Sequence, residues 1–429
     1  MKKLFLLVLI GLAGMSLQAR QLSDTEQQIL DRIDANHIKA LEFLEANVNM
    51  NSGTMNFEGV RQLGERYITV FDELGFETRW IEQDEVNRAG HFFAEQKGNT
   101  GKKLLLIGHL DTVFEADSPF QEYKMLNDSV ATGPGVNDMK AGNVMIYFAL
   151  KALKEAGAID DAQIIVAFTG DEEKAGSPTS LSRKNLVEAA ERSDVALGFE
   201  TASGFSYATV ARRASYSWKL EVEGRQAHSS GIFSNSTGAG SVYEASRILN
   251  QFYEELREDN LTYNVGVLIG GNEVEYDQEN MRGSVSGKTN IVPKKTIAHG
   301  GIRFLTMEQG ERAFQKMEDI VSDHLPQTSA ELTIYEGYPP MEPTSGNMEL
   351  LSVLDDLSRE LGLGSVEAYD PGRRGAADIS FIAQYVDGLD GLGAMGSGAH
   401  GPNETINLKT YKELTKRAAL LIYRLVNQD

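Results

Sequence analysis

The chain has 429 residues, of which 41% are hydrophobic and 24% charged, and its formal net charge is −21 at pH 7. That length exceeds what a single core usually serves, the composition is that of an ordinary globular protein, and the acidic balance disfavours nucleic acid as a partner by simple repulsion. Cysteine is absent, which excludes disulfides, thiolate nucleophiles and a cysteine-borne lipid anchor, so any metal must sit on His, Asp or Glu.

Met1-Lys2-Lys3, an apolar run over 4–12 and small or polar residues through Ser16 and Ala19 follow the pattern of a secretory signal peptide. The run is shorter than the roughly 20 residues of a membrane-spanning helix, so no membrane association is expected. The expectation is a periplasmic or secreted protein cleaved after Ala19, although Leu17 is larger than such a site prefers; losing Lys2 and Lys3 would take the charge to −23.

Over 24–74 the apolar residues fall at helical spacing, first Ile29, Ile33, Ile38, Leu41 and Phe43, then Val60, Leu63, Tyr67 and Val70, which predicts two helices. The run Lys103-Leu104-Leu105-Leu106-Ile107-Gly108 predicts a strand buried on both faces that delivers His109 to its end. A helix over 139–156, carrying Val144, Tyr147, Phe148, Leu150 and Leu153, precedes a strand at 163–168, another helix and an apolar run at 195–199. Such alternation predicts an α/β fold with a largely parallel sheet flanked by helices.

From 207 the pattern changes, with Tyr216, Trp218, Leu220 and Val222 alternating with polar residues as in a sheet with one wet face. A helix at 241–256, strands at 265–269 and 296–304, a helix at 308–324 and a strand near 332–335 complete this unit. The proline-rich stretch 337–343 reads as a linker, after which helix and strand alternate again and a last helix carries Tyr411, Leu414, Ala418, Leu421, Ile422 and Leu425 on one face. The expected organisation is a signal peptide at 1–19 and a catalytic domain formed by 20–206 and 338–429. An inserted α+β lid or dimerisation domain at 207–337 interrupts it.

Four segments set His and carboxylates where loops leave buried strands, the place where open α/β sheets bind ligands: Gly108-His109-Leu110-Asp111-Thr112, Gly135-Val136-Asn137-Asp138-Met139-Lys140, Thr169-Gly170-Asp171-Glu172-Glu173 and Gly198-Phe199-Glu200. A fifth, Ala399-His400-Gly401-Pro402-Asn403-Glu404, lies far down the chain. Singly, His109 could be an ordinary strand-end histidine, Asp138 a helix cap and Glu172-Glu173 a solvated acidic pair. Together, acidic groups converging on one sheet edge would repel unless cations neutralise them, and nitrogen plus carboxylate oxygen suits zinc.

In this order the five segments resemble those of the dizinc metallopeptidase family that includes carboxypeptidase G, acetylornithine deacetylase, succinyl-diaminopimelate desuccinylase and aminoacylase. The resemblance implies a zinc exopeptidase-like fold and two Zn2+ per chain, replaceable by Co2+ or Mn2+. His109 and Glu200 would hold one metal, Glu173 and His400 the other, and Asp138 would bridge them beside a cis peptide at Asp138-Met139. Asp111 would orient His109, and Glu172 would be the general base.

In the inserted domain, His228 of Gly224-Arg225-Gln226-Ala227-His228-Ser229-Ser230 resembles a lid histidine that reaches a partner subunit's site and stabilises the oxyanion, which implies a homodimer formed through that domain. Asn290 and Arg303 resemble residues that bind a substrate carboxylate, a task suited to the planar guanidinium fork. Arg373-Arg374 departs from the family, whose members often carry a glycine pair there.

The implied substrate is a small peptide or N-acyl amino acid. The implied reaction is that of a carboxypeptidase G-like glutamate carboxypeptidase or an N-acyl amino acid deacylase, and Glu200 favours the carboxypeptidase side by resemblance. Dipeptidase or aminopeptidase action, or a catalytically silent binding protein on the same fold, are the alternatives. Gly391-Leu392-Gly393-Ala394-Met395-Gly396 matches a dinucleotide fingerprint, but it runs into Ser397, Gly398 and Pro402 rather than opening a helix, and no GxSxG of a serine hydrolase occurs.

Overall fold

The computed structural model describes residues 21–428, and the expected signal peptide at 1–19 lies outside the described residues. A six-stranded sheet organises the larger part of the chain, in the order Glu77–Gln83, Arg88–Gln96, Ala162–Thr169, Thr100–His109, Val195–Gly198, Gly388–Leu389. The last four run parallel, as the alternating pattern predicts, whereas the first two form an antiparallel hairpin that adds to Ala162–Thr169. That hairpin is not visible in the hydrophobic pattern. It turns through Asp84–Val86 and a left-handed Asn87, a local device with no apolar signature.

Both sheet faces are buried. Leu104, Leu106, Val166, Phe168 and Leu197 join a large core with the helices Asp24–Val48, Phe57–Glu73, Lys140–Glu155, Ser345–Glu360 and Leu408–Val426. Leu105, Ile107, Ile165, Ala167 and Ala196 face the other way, onto Leu186, Ala189, Ile379 and Ile382. Within the first helix the expected apolar stripe is shifted: Ile29, Ile33, Ala40 and Leu44 are buried, but Ile38 is 64% exposed and belongs to the outer face.

The second unit is an antiparallel sheet centred on Ser215–Gly224, flanked by Lys295–Arg303 and Thr328–Tyr338, with Thr262–Tyr263 and Val267–Gly271 beyond Lys295–Arg303. The helices Ser241–Glu255 and Met307–Ser322 cover one face, where Trp218, Leu220, Val222, Ile248, Phe252 and Met317 form a separate core. The hairpin Glu273–Asp277 with Arg282–Ser286 was not expected from the sequence, because most of its residues are polar and exposed. Val210 and Ala211 belong to the large core and Ala214 to the small one, so the chain crosses between units later than the change of pattern at 207 suggests. The inward crossing at Arg212 pairs with the outward crossing at Met341 through two backbone hydrogen bonds of 2.9 and 3.0 Å.

A third small sheet, Gly396–Ser397, Thr405–Asn407, Val130–Thr132 and Lys124–Asn127, draws the His400 loop beside the loop that carries Asp138. The GxGxxG segment follows the short strand Gly388–Leu389 and leads into Gly396–Ser397, so no helix opens at its glycines.

Candidate metal centre and active-site cleft

The parallel strands end together, and their ends carry the chemistry. His109 closes Thr100–His109 and is almost fully buried. Its Nδ1 lies 3.0 Å from the Asp111 carbonyl oxygen and 3.4 Å from the Asp111 carboxylate, so with the proton on Nδ1 the lone pair is on Nε2. That Nε2 is buried without a hydrogen-bond partner, yet stands 3.4 Å from Asp138 Oδ1 and 3.4 Å from Glu200 Oε1. On the other side, His400 Nε2 lies 3.2 Å from Asp138 Oδ2 and 3.0 Å from Glu173 Oε2.

Two groups of three ligand atoms result, His109 with Asp138 and Glu200, and Asp138 with Glu173 and His400, each group lying within 4.8 Å. Asp138 is common to both and turns one oxygen to each histidine. The orphaned Nε2 and the mixed nitrogen and oxygen donors fit a pair of divalent cations, a chemistry three converging carboxylates require.

The bland alternatives fail at these positions. The helix Lys140–Glu155 has no side-chain N-cap, so Asp138 is not spent on capping, and the Asp138-Met139 peptide is cis. Glu172 and Glu173 sit in a turn rather than a regular helix, which lets adjacent side chains take different directions. Asp111 is fully buried and sets that turn directly. Its Oδ1 accepts the Glu172 N–H at 3.0 Å, and its Oδ2 accepts the Glu173 N–H at 3.1 Å and the Thr54 hydroxyl at 2.7 Å.

The sequence profile of peptidase family M20/M25/M40 matches residues 105–424. The chain belongs to that family. It is 27% identical over 392 residues to carboxypeptidase G2 of Pseudomonas sp. (strain RS-16), covering 89% of this chain and 88% of the relative. Identity to a succinyl-diaminopimelate desuccinylase of Gluconobacter oxydans (strain 621H) is 25% over 363 residues, covering 81% and 88%. Among solved structures, aminopeptidase PepT from Bacillus cereus superposes with a TM-score of 0.71 at 18% identity, covering 90% of this chain and 98% of that one. A tripeptidase from Staphylococcus aureus gives 0.69 at 19% identity, covering 94% and 99%. This M20 protein is therefore a hydrolase of the peptidase and amidohydrolase kind, from a metal-dependent family, with a candidate metal site at the expected sheet edge.

A cleft of about 550 Å³ opens over that edge. Asp138, Glu172, Glu173, Glu200 and His400 border it on one side, and Arg212, Arg303, Arg373 and Arg374 also line it. His228 and Asn290 lie elsewhere, close together on the surface of the inserted domain, where the Ser229 N–H donates to the Asn290 carbonyl at 2.8 Å.

Several residues of this M20 site escaped the sequence reading. Arg183 is buried between Asp171 and Asp378, donating to them at 2.5 and 2.7 Å, and Thr169 also donates to Asp378. The Tyr338 hydroxyl donates to the Glu172 carbonyl at 2.5 Å. Arg212 is buried against Asp390. Asp171 adjoins the Glu172-Glu173 pair and Tyr338 closes a strand, but nothing in the local pattern of Arg183 signals its partners.

The electrostatics are those of crowded charges. Burial pushes Glu172 well above the usual carboxylate range, with nearby Glu200, Asp378 and Glu173 adding to it and His109 opposing. Burial also raises Glu173, to about 7, against the pull of His400. Asp138 moves the other way, because the adjacent imidazoles of His109 and His400 outweigh its burial. The nearby Asp138 and Glu173 carboxylates push His400 up to about 11, and for His109 the neighbouring Asp111, Asp138 and Glu200 outweigh the burial that would lower it.

The raised proton affinity of both histidines sets a proton in competition with a cation at each. A raised pKa favours the protonated apo form until pH passes it, so metal uptake must release protons and strengthen with pH. Titration of metal-free protein with Zn2+ against a competing chelator should give tighter binding at pH 8 than at pH 6, with protons released. Equal affinity at both pH values would contradict this arrangement.

Proposed function

We propose that this M20 hydrolase is a two-zinc exopeptidase or N-acyl amino acid deacylase that cleaves an amide bond and releases an amino acid with a free α-carboxylate. The observation that carries the reading is the cleft itself, which combines two ligand groups sharing Asp138 with the exposed guanidinium groups of Arg303 and Arg373. Neither arginine has an ion-pair partner among the described residues, although the protein is strongly acidic overall. The similarity to carboxypeptidase G2 supports the same reading.

When bound, zinc would supply Lewis acidity that polarises the amide carbonyl and makes water acidic enough to be deprotonated near neutral pH. Glu172 accepts the proton of the attacking water and returns it to the leaving amine, and its raised proton affinity suits both transfers. Asp111 and Tyr338 hold the main chain of Glu172 from two sides, which fixes the base relative to the ligands. Arg303 reaches the loop around Gly375 and offers a planar fork to the substrate's α-carboxylate. Arg373 adds exposed donors along the same cleft, which favours an acidic released residue such as glutamate, while Arg374 donates to Thr209 and the Thr201 carbonyl and adds positive charge to the wall.

Protein reconstituted with Zn2+ should hydrolyse N-acyl glutamate or folyl-glutamate faster than dipeptides with a free amino terminus. Glu172→Ala should retain two zincs and the wild-type fold while losing at least about a thousandfold in kcat, the upper part of the range for a general base. Fewer than one zinc per wild-type chain, or undiminished turnover by the variant, would defeat the reading.

His228 and Asn290 are not among the residues bordering the cleft of their own chain, so we propose that they serve the cleft of a second copy. Phe233, Tyr243 and Leu268 are 67%, 55% and 55% exposed on the inserted domain, and apolar surface of that kind is suited to burial between subunits. Mixing His228→Ala with Glu172→Ala, each inactive alone, should recover activity through mixed dimers that assemble one intact site. Absence of recovery, with subunit exchange verified by mass spectrometry, would rule this out.

A further inference from the structure

The two ligand groups are built on unequal foundations. His109 is buried at the end of a central strand, and Glu200 follows the end of its neighbour. His400, in contrast, lies on a loop with its side chain 59% exposed and its backbone in the left-handed region at φ 64°. Asp138 also sits on a loop, 135–138, that has no ladder of its own. Something outside the central sheet must keep Asp138 and His400 in register.

Beyond the strand pairing of 405–407 with 130–132, one side chain joins them directly. Glu404, four positions after His400, is fully buried. Its Oε2 accepts the Gly135 N–H at 2.9 Å, and its Oε1 accepts the N–H groups of Asn137 at 2.8 Å and Asp138 at 2.9 Å. Its own main chain is fixed in turn, with the carbonyl accepting the Thr132 hydroxyl at 2.6 Å and the N–H donating to Gly401 at 3.0 Å. A single carboxylate thus satisfies three main-chain donors of the Asp138 loop from within the His400 loop. Backbone donors in such a loop have no alternative partner, so the bond pattern fixes where the loop stands.

We propose that Glu404 is the positioning residue that holds Asp138 and His400 in one frame and thereby sets metal affinity at the position formed by Asp138, Glu173 and His400. The inference rests on the two-metal reading above. Glutamine has nearly the same shape but puts an NH2 group where one acceptor oxygen stood, so Glu404→Gln sets a donor against a donor. Outer groups that orient ligands typically contribute about 10–100-fold to metal affinity. Asp138 serves both positions, so both should weaken, but the His400 position more, because strand ends still hold His109 and Glu200.

The test is Co2+ titration of metal-free protein at fixed pH against a chromophoric chelator, which reads affinity without turnover. Wild type should bind two ions. In E404Q one step should lose about 10–100-fold and the other distinctly less. Glu26→Gln is the control for lost stability, since Glu26 is equally buried but bonds to Ser23 and Arg424 on the helical side of the fold. It should bind both ions as wild type does.

If E404Q lacks a cooperative thermal transition, Glu404→Asp replaces it, because this variant keeps the charge but falls one methylene short of the loop donors. Unchanged affinities in the folded variant, equal weakening of both steps, or the same weakening in E26Q would overturn the proposal. Fewer than one ion on wild type would instead overturn the metal reading beneath it.

Discussion

Like-charge crowding at one edge of a sheet is the constraint to which the rest of this protein answers. Asp138, Glu173 and Glu200 bring their oxygens within a few ångströms of two imidazoles, and Glu172 stands beside them largely out of water. In such surroundings carboxylates cannot all keep their charge, and the shifts in proton affinity record the conflict: acids pushed up, histidines pushed up, and only the shared Asp138 pulled down. Divalent cations would resolve it. The geometry is thus more intelligible as a receptor for positive charge than as a set of ion pairs.

Around this centre, buried charge is neutralised group by group. Arg183 lies between Asp171 and Asp378, behind the Glu172-Glu173 turn, and Arg212 lies against Asp390. Buried pairs of this kind add little net stability after desolvation, but removing one partner is costly, so they act as fixed joints. Arg183 with Asp378 and Arg212 with Asp390 join parts of the chain 195 and 178 positions apart. Asp111 is the nearest example, since it reaches His109 and the turn that carries Glu172.

Much of this was legible in the sequence because the relevant signals were local. The run at 103–108 predicts a strand delivering His109, and the structure has Thr100–His109. The helical spacing over 139–156 corresponds to Lys140–Glu155, and the alternation at Trp218, Leu220 and Val222 to the inner face of a second sheet. What was not legible depends on partners far apart in sequence. The edge hairpin at 77–96 has weak periodicity, Ile38 falls near the helical stripe but faces outward, and the small sheet joining 130–132 to 405–407 has strands too short to show a period. The pairing of Arg183 with Asp378 and that of Glu404 with the 135–138 loop exist only after folding. For the same reason, resemblance named His228 and Asn290, but the fold of one chain leaves both outside its own cleft.

The paired crossings at Arg212 and Met341 set the relation between the two units. Because the chain leaves and returns at one point, the intervening segment resembles a bead on a doubled thread. The insertion's two ends lie together, so the entropic penalty of closing the α/β unit's chain rises only slowly as the insertion grows. The two cores can then form as separate cooperative units, and the second can change in size and surface without disturbing the strand ends that hold His109 and Glu200. Lineages sharing this scaffold could therefore diversify what they recognise while the bond-breaking apparatus stayed constant.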